Sequence, residues 1–179
     1  MKQIILLFAL LVGVMAGTFW LSNREDLEKL LPNNASTPES TQSNQVLKKG
    51  FVTIGSAKIE VEIVRTKQDR STGLSKYDEL VKDTGMLFVF EREDTRPPFW
   101  MKDMKFPIDI IWINDDKVVQ VTANIPTLVT NTSENRIPKY LPNQPVDYVL
   151  EVSSGFAKQE GIKAGDTVNL PNLDGVSQI

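Results

Sequence analysis

Between Lys58 and Val64 apolar and polar positions alternate: Ile59, Val61 and Ile63 fall on one side, Lys58, Glu60 and Glu62 on the other. Period two is the signature of a half-buried strand. Joined through the turn Gly55-Ser56 to the short run Phe51 to Ile54, it predicts a hairpin with one wet face. Two helical signals follow. Thr66-Lys67-Gln68-Asp69 has capping-box spacing, and Gly73 can close that helix in a left-handed conformation. Ser75-Lys76-Tyr77-Asp78 repeats the spacing ahead of Leu80 and Val81, predicting a second brief helix. Strands return at Met86 to Phe90 and at Lys105 to Ile113, which Asn114 to Lys117 turn into a strand from Val118 to Thr122. The stretch from Pro126 to Pro145 has no period and reads as a long loop. Val146 to Val152 alternates again, Gly155 to Glu160 predicts a helical turn stopped by Gly161, and Gly165-Asp166 turns into a last strand, Thr167 to Leu170. Seven or eight short strands with little helix predict a mainly β domain, a compact antiparallel β-sandwich or distorted barrel with two or three short helices.

A different pattern precedes this domain. Ile4 to Leu21 is an uncharged, mostly apolar run of 18 residues, about 27 Å long as a helix and close to the thickness of a bilayer core. Trp20 stands where an interfacial anchor belongs, and Arg24, Glu25 and Asp26 mark the return to water. The run predicts an N-terminal transmembrane helix with the rest of the chain outside the cytoplasm. The competing reading is a signal peptide cut after Ala16, since Val14-Met15-Ala16 fits a cleavage site. Both readings export the domain, to the cell membrane in the first case and to a secreted or periplasmic state in the second. Pro32 to Gln45 is polar and free of aromatics, too poor in apolar surface to fold, and reads as a tether. The expected organisation is thus an anchor or signal peptide over 1–23, a flexible polar linker over 24–46, a β-rich globular domain over 47–170 and a loose tail over 171–179.

Composition narrows the chemistry. The 179 residues contain no cysteine and no histidine. Disulfides, thiolate catalysis, a Ser-His-Asp triad and zinc held by Cys or His are excluded, which leaves acid–base work to Asp, Glu, Lys or Tyr. The net charge of −3 comes without a long basic run, so no nucleic-acid partner is expected. Neither a cofactor nor a metal is expected; Asn114-Asp115-Asp116 lacks the ligand count of a calcium loop and reads as a solvated turn.

The informative segment is Pro97 to Asn114, PPFWMKDMKFPIDIIWIN. Period two places Ile108, Ile110 and Trp112 on one face, and Asp109, Ile111 and Ile113 on the other. Both faces are mostly apolar, predicting a central strand covered on both sides. An acid there needs a cation or several backbone donors. Asp109 reads as half-buried and as one of three things: a structural ion pair with Arg70, Lys102 or Lys105, a ligand-binding or catalytic carboxylate, or an exposed acid. In Phe99 to Met104, alternation sets Trp100, Lys102 and Met104 against Phe99, Met101 and Asp103. Either Trp100 belongs to the core of an amphipathic strand, or it is the platform of a sugar- or peptide-binding lip with Lys102 as donor.

In these residues the chain resembles the domain of unknown function family 192. The resemblance rests on Arg70 with Gly73-Leu74, Gly85-Met86-Leu87-Phe88-Val89-Phe90, Phe99-Trp100-Met101-Lys102, Pro107 through Ile113, Tyr148-Val149-Leu150-Glu151, and Gly161-Ile162 with Gly165-Asp166-Thr167-Val168. It spans Phe51 to Leu170 in unbroken order. The chain departs from the usual pattern at Ser75-Lys76, where members carry Met and an Arg, and at Asp103-Met104, where they carry Asn and Thr. The resemblance implies a compact mainly β sandwich, often exported or membrane-tethered in prokaryotes, with no activity established for the family. It nominates Arg70, Trp100, Lys102 and Asp109 as a ligand-binding cluster.

Three functions are compatible with these features. The leading one is a non-catalytic, membrane-tethered module of the cell envelope, anchored through residues 4–21 and binding a glycan or peptide. A second is a carboxylate-dependent hydrolase of an envelope glycan, with Asp109 and Glu151 facing a common cleft ~5–10 Å apart. A third is a structural assembly partner of another membrane protein, which predicts an exposed apolar patch.

Overall fold

The chain divides into two units, Met1–Asn44 and Gln45–Ile179. The computed structural model describes residues 48–90, 95–129 and 132–173, all within the second unit. The expected membrane segment and the whole of the expected linker lie outside the described residues. Within the described residues, no helix is long and apolar enough to cross a membrane.

Among the described residues nine strands form: β1 (Lys48–Ile54), β2 (Ala57–Val64), β3 (Thr84–Val89), β4 (Phe99–Trp100), β5 (Ile108–Asn114), β6 (Lys117–Ile125), β7 (Lys139–Tyr140), β8 (Tyr148–Ser153) and β9 (Val168–Asn169). Seven of them make one sheet in the order β6-β5-β8-β3-β2-β1-β9, and β4 and β7 make a separate two-stranded ribbon. The domain is mainly β, but a sandwich of two packed sheets is not what forms. A single sheet curls into a half-barrel, and its two edge strands approach each other at one end. There Lys117 bridges Thr167, the Val168 amide donates to the Asp116 carbonyl at 2.7 Å, and the Val118 amide donates to the Asp166 carbonyl at 3.0 Å. Nor is the sheet purely antiparallel, because β2 and β3 run parallel. Parallel neighbours need a crossover, and here the crossover carries helix α1 (Lys67–Thr72) and a 3-10 turn, Gly73–Lys76.

Strand alternation builds a core on each face. One contains Ile59, Val61 and Ile63 of β2 with Leu87, Ile111, Ile113, Leu150 and Val152, and is completed by Phe156 and Ala157 of helix α2 (Phe156–Gln159). The other holds Met86, Phe88, Ile108, Ile110, Trp112 and Val149, covered by Leu74 and Met101. β5 lies between β6 and β8 with Ile108 to Ile113 all buried, as a strand covered on both faces requires.

The second helix expected after Ser75 does not form. The Ser75 hydroxyl donates back to the Thr72 carbonyl at 2.6 Å instead of capping forward. Tyr77 is extended and its hydroxyl donates to Glu62. The expected loop from Pro126 to Pro145 is largely irregular, but it contains a 3-10 turn, Glu134–Arg136, and β7, which pairs Tyr140 with Phe99 and Lys139 with Trp100.

Candidate functional site

The β4–β7 ribbon and the β2–β3 crossover stand on the same face of the sheet and enclose a cleft of about 440 Å³. One wall is α1. The Thr66 hydroxyl starts it by accepting from the Asp69 amide at 3.0 Å, as the capping spacing predicts. Gly73 ends it at φ 51° and ψ −142°, a conformation that a side chain disfavours. Arg70, in the last turn, is thereby set beside β3. Its guanidinium donates to the Val89 carbonyl at 3.2 Å and to the Arg65 carbonyl, and its carbon lies 5.3 Å from the centre of the Phe90 ring. Arg70 lines the cleft with Lys67 of the same helix.

The opposite wall is the ribbon. Phe99 turns inward and packs edge-on against Phe88 at 4.9 Å and Trp112 at 5.5 Å. Trp100 therefore turns outward. It is 37% exposed and is not in the core, where Trp112 sits instead. The Lys102 and Lys139 ammonium groups stand 5.6 and 5.9 Å from the Trp100 ring centre, within the range of cation–π attraction. Lys102 also pairs with Glu134 at 3.4 Å, an exposed contact of small energetic weight. Trp100, Lys102 and Lys139 all line the cleft.

Sequence reasoning weighed Glu151 only as half of a hydrolytic pair and left it out of the candidate cluster. It also lines the cleft. On β8 it shares a face with Val149 and lies level with Met86 of β3 and Ile110 of β5. It is 5% exposed, and among the described residues no hydrogen bond or ion pair reaches its carboxyl. Burial alone pushes that carboxyl from 4.5 up to about 8. Glu151 therefore holds its proton at neutral pH. A perturbed, unpartnered acid in a cleft is a physical marker of a functional site. The legible signal was a Glu within Val149 to Val152, whose other members are apolar.

Asp109 stands apart from this cluster. It is 0% exposed and shares a face with Ile111 and Ile113, the face opposite to Glu151. It is fully buried, not half-buried, and among the described residues it pairs with no cation. Its carboxyl accepts the amides of Asn124 at 2.7 Å, Gly155 at 3.1 Å and Ala157 at 3.0 Å. The irregular pairing of β5 with β6 between Ile108 and Ile110, with Asn124 at φ 55°, turns the first of these amides inward. Asp109 thus ties β6 and the start of α2 to β5. Asp109 and Glu151 cannot attack one bond from a shared cleft, because the pleat directs them to opposite sides of the sheet. That pairing is corrected by the fold. Of the four nominated residues, Arg70, Trp100 and Lys102 come together, and Asp109 does not join them. Lys105, the other cation considered for Asp109, pairs with Asp78 at 2.6 Å.

Comparison with known proteins adds family and fold. The model of the DUF192 family, described as "Uncharacterized ACR", matches residues 50–170. No functionally curated protein matches the chain. A protein of unknown function from Novosphingobium aromaticivorans is similar in structure, with a TM-score of 0.62 and 29% identity over 71% of this chain and 89% of that one. A protein from Sinorhizobium meliloti described as a "putative transcription regulator" is similar with a TM-score of 0.59 and 28% identity, covering 69% of this chain and 94% of that one.

Proposed function

The chain belongs to the DUF192 family, and from that premise we propose that its domain is a non-catalytic ligand-binding module of the cell envelope, held outside the cytoplasm by residues 4–21. The observation that carries this reading is the cleft, where Lys102 and Lys139 both stand close to the Trp100 ring and Arg70 of α1 lines the same space. Its volume of about 440 Å³ suits a small molecule or the end of a polymer. Aromatic walls favour a ligand with a flat or apolar body, and the cationic rim favours one that carries an acid group. A carboxylate-bearing peptide or saccharide end combines the two. The two places where the chain departs from its family's usual pattern include Ser75 and Met104, both of which line the cleft. Ligand choice within the family is thus open to variation at these positions.

The test uses the full chain in mild detergent and a panel of acidic saccharides, neutral saccharides and short peptides, read by thermal shift and tryptophan fluorescence. Acidic members should raise the melting temperature. Removing both rim charges, with Lys102→Ala and Lys139→Ala together, should weaken binding about tenfold and flatten its salt dependence. No shift with any class would overturn the reading. Protease access to the domain from outside intact cells, compared with lysed cells, tests the tethered placement; protection in intact cells would contradict it.

A further inference from the structure

Resting on the ligand-binding reading above, we propose that the cleft selects a zwitterion, a small amino acid or peptide end whose ammonium is buried against Glu151 while its carboxylate meets the Lys102–Lys139 rim. The argument starts from an imbalance of partners. Lys67 and Arg70 of α1, Lys102 beyond β4 and Lys139 of β7 put cations on both walls, and Ser71, Thr72 and Ser75 add hydroxyls. Among the described lining residues, Glu151 is the one acid. None of the four cations is paired with it, and the Nη1 of Arg70 donates to the carbonyls of Val89 and Arg65.

A ligand seated in the cleft removes the remaining water from Glu151. A ligand with only an anionic end would satisfy the rim and leave this carboxyl sealed and unpartnered, which is costly. Acceptors on a ligand are already served by the surplus of donors. The group that the cleft lacks is a cationic donor deep inside, and an ammonium supplies it. Phe88, Phe90 and Phe99 line the same space, and aromatic rings tolerate a cation where aliphatic walls would not. The two charges of one ligand thus find opposite charges at two depths of one cleft.

A proton inventory follows. Burial keeps Glu151 protonated in the free protein up to about pH 8. When the ammonium binds, the carboxyl O–H gives its proton to the buffer and the resulting carboxylate pairs with the ligand, whose own protons stay in place. At neutral pH binding should release close to one proton per ligand.

The experiment is titration calorimetry of the full chain in detergent, in buffers of different ionisation enthalpy, with three probes: alanyl-phenylalanine, its N-acetyl derivative and its C-terminal amide. The free dipeptide should bind tightest, and losing either charge should weaken binding about ten- to a hundredfold. Only the probes with a free amine should release a proton. Glu151→Gln should abolish the release and make the free and N-acetyl forms bind alike; should that variant fail to fold, proton release by the native chain decides alone. Equal binding of the free and acetylated forms without proton release would overturn the zwitterion and leave the ligand-binding reading standing. So would binding of acidic saccharides with none of the three peptides bound. Silence from every probe and from the saccharide panel would overturn both.

Discussion

Asp109 and Glu151 show how one pleat assigns two acids to different work. They sit on neighbouring strands, yet period two sends Asp109 toward the α2 side and Glu151 toward the cleft. Three amides converge on Asp109. Asp109→Ala should strand them in a dry site and cost about 3–5 kcal/mol, seen as a lower urea midpoint, with ligand affinity of the folded fraction unchanged. For Glu151 the linkage runs opposite to that of most carboxyls. The unfolded chain ionises it as pH passes 4.5, while the folded chain keeps the proton to about 8. The folded state binds more protons between these values, so stability falls as pH rises through that window and levels off above it. Glu151→Gln should remove this slope, gaining on the native chain from pH 4 to pH 8 by an amount on the order of a few kcal/mol. Denaturant midpoints at a series of pH values check this; parallel curves would contradict it.

At the scale of elements, the cleft depends on how closely β3 and β8 approach. A Cβ added at Gly85 would lie 2.6 Å from the Glu151 carbonyl oxygen, a backbone atom that can yield only if the strands part. Gly85→Ala should therefore lower stability by roughly 1–3 kcal/mol and loosen the position of Glu151, measurable as a lower melting temperature with weaker ligand binding. The predicted α1 forms because its signals are local: a Thr cap at one end and a glycine at the other. The helix predicted after Ser75 had the same spacing but no exclusive claim on its residues. Ser75 bonds backward and Tyr77 bonds to Glu62 on β2, a partner 15 positions away. Local capping was outbid by a tertiary contact, which no window of a few residues contains. The two-residue strands β4 and β7 were illegible for a related reason: neither has length enough for a period, and each exists only through the other.

Across the whole domain, the curl of the sheet is held by β9, which pairs with β1 on one side and reaches the β5–β6 turn region on the other. A chain ending before Gly165 would lose Val168 from the core and expose the β1 edge. We expect it to melt at a lower temperature and to self-associate through that edge, as read by sedimentation. A truncated chain that stayed monomeric with native stability would show that the clasp is dispensable.

What the sequence by itself determined is whatever repeats at short range. Alternation placed most strands and divided β5 correctly into its two faces. The capping spacing placed α1, and an acid inside Ile108–Ile113 announced a carboxyl that needed partners, though not that it is fully buried. Only the tertiary structure decided which partners those were, because backbone amides carry no sequence signature. It likewise decided that one curled sheet forms in place of two, and that Arg70, Trp100, Lys139 and Glu151 surround one cleft. Side-chain direction along a strand follows from the local pleat, whereas the order of strands and the seat of a crossover are settled by contacts between residues far apart in the chain, and the cleft is made of those contacts.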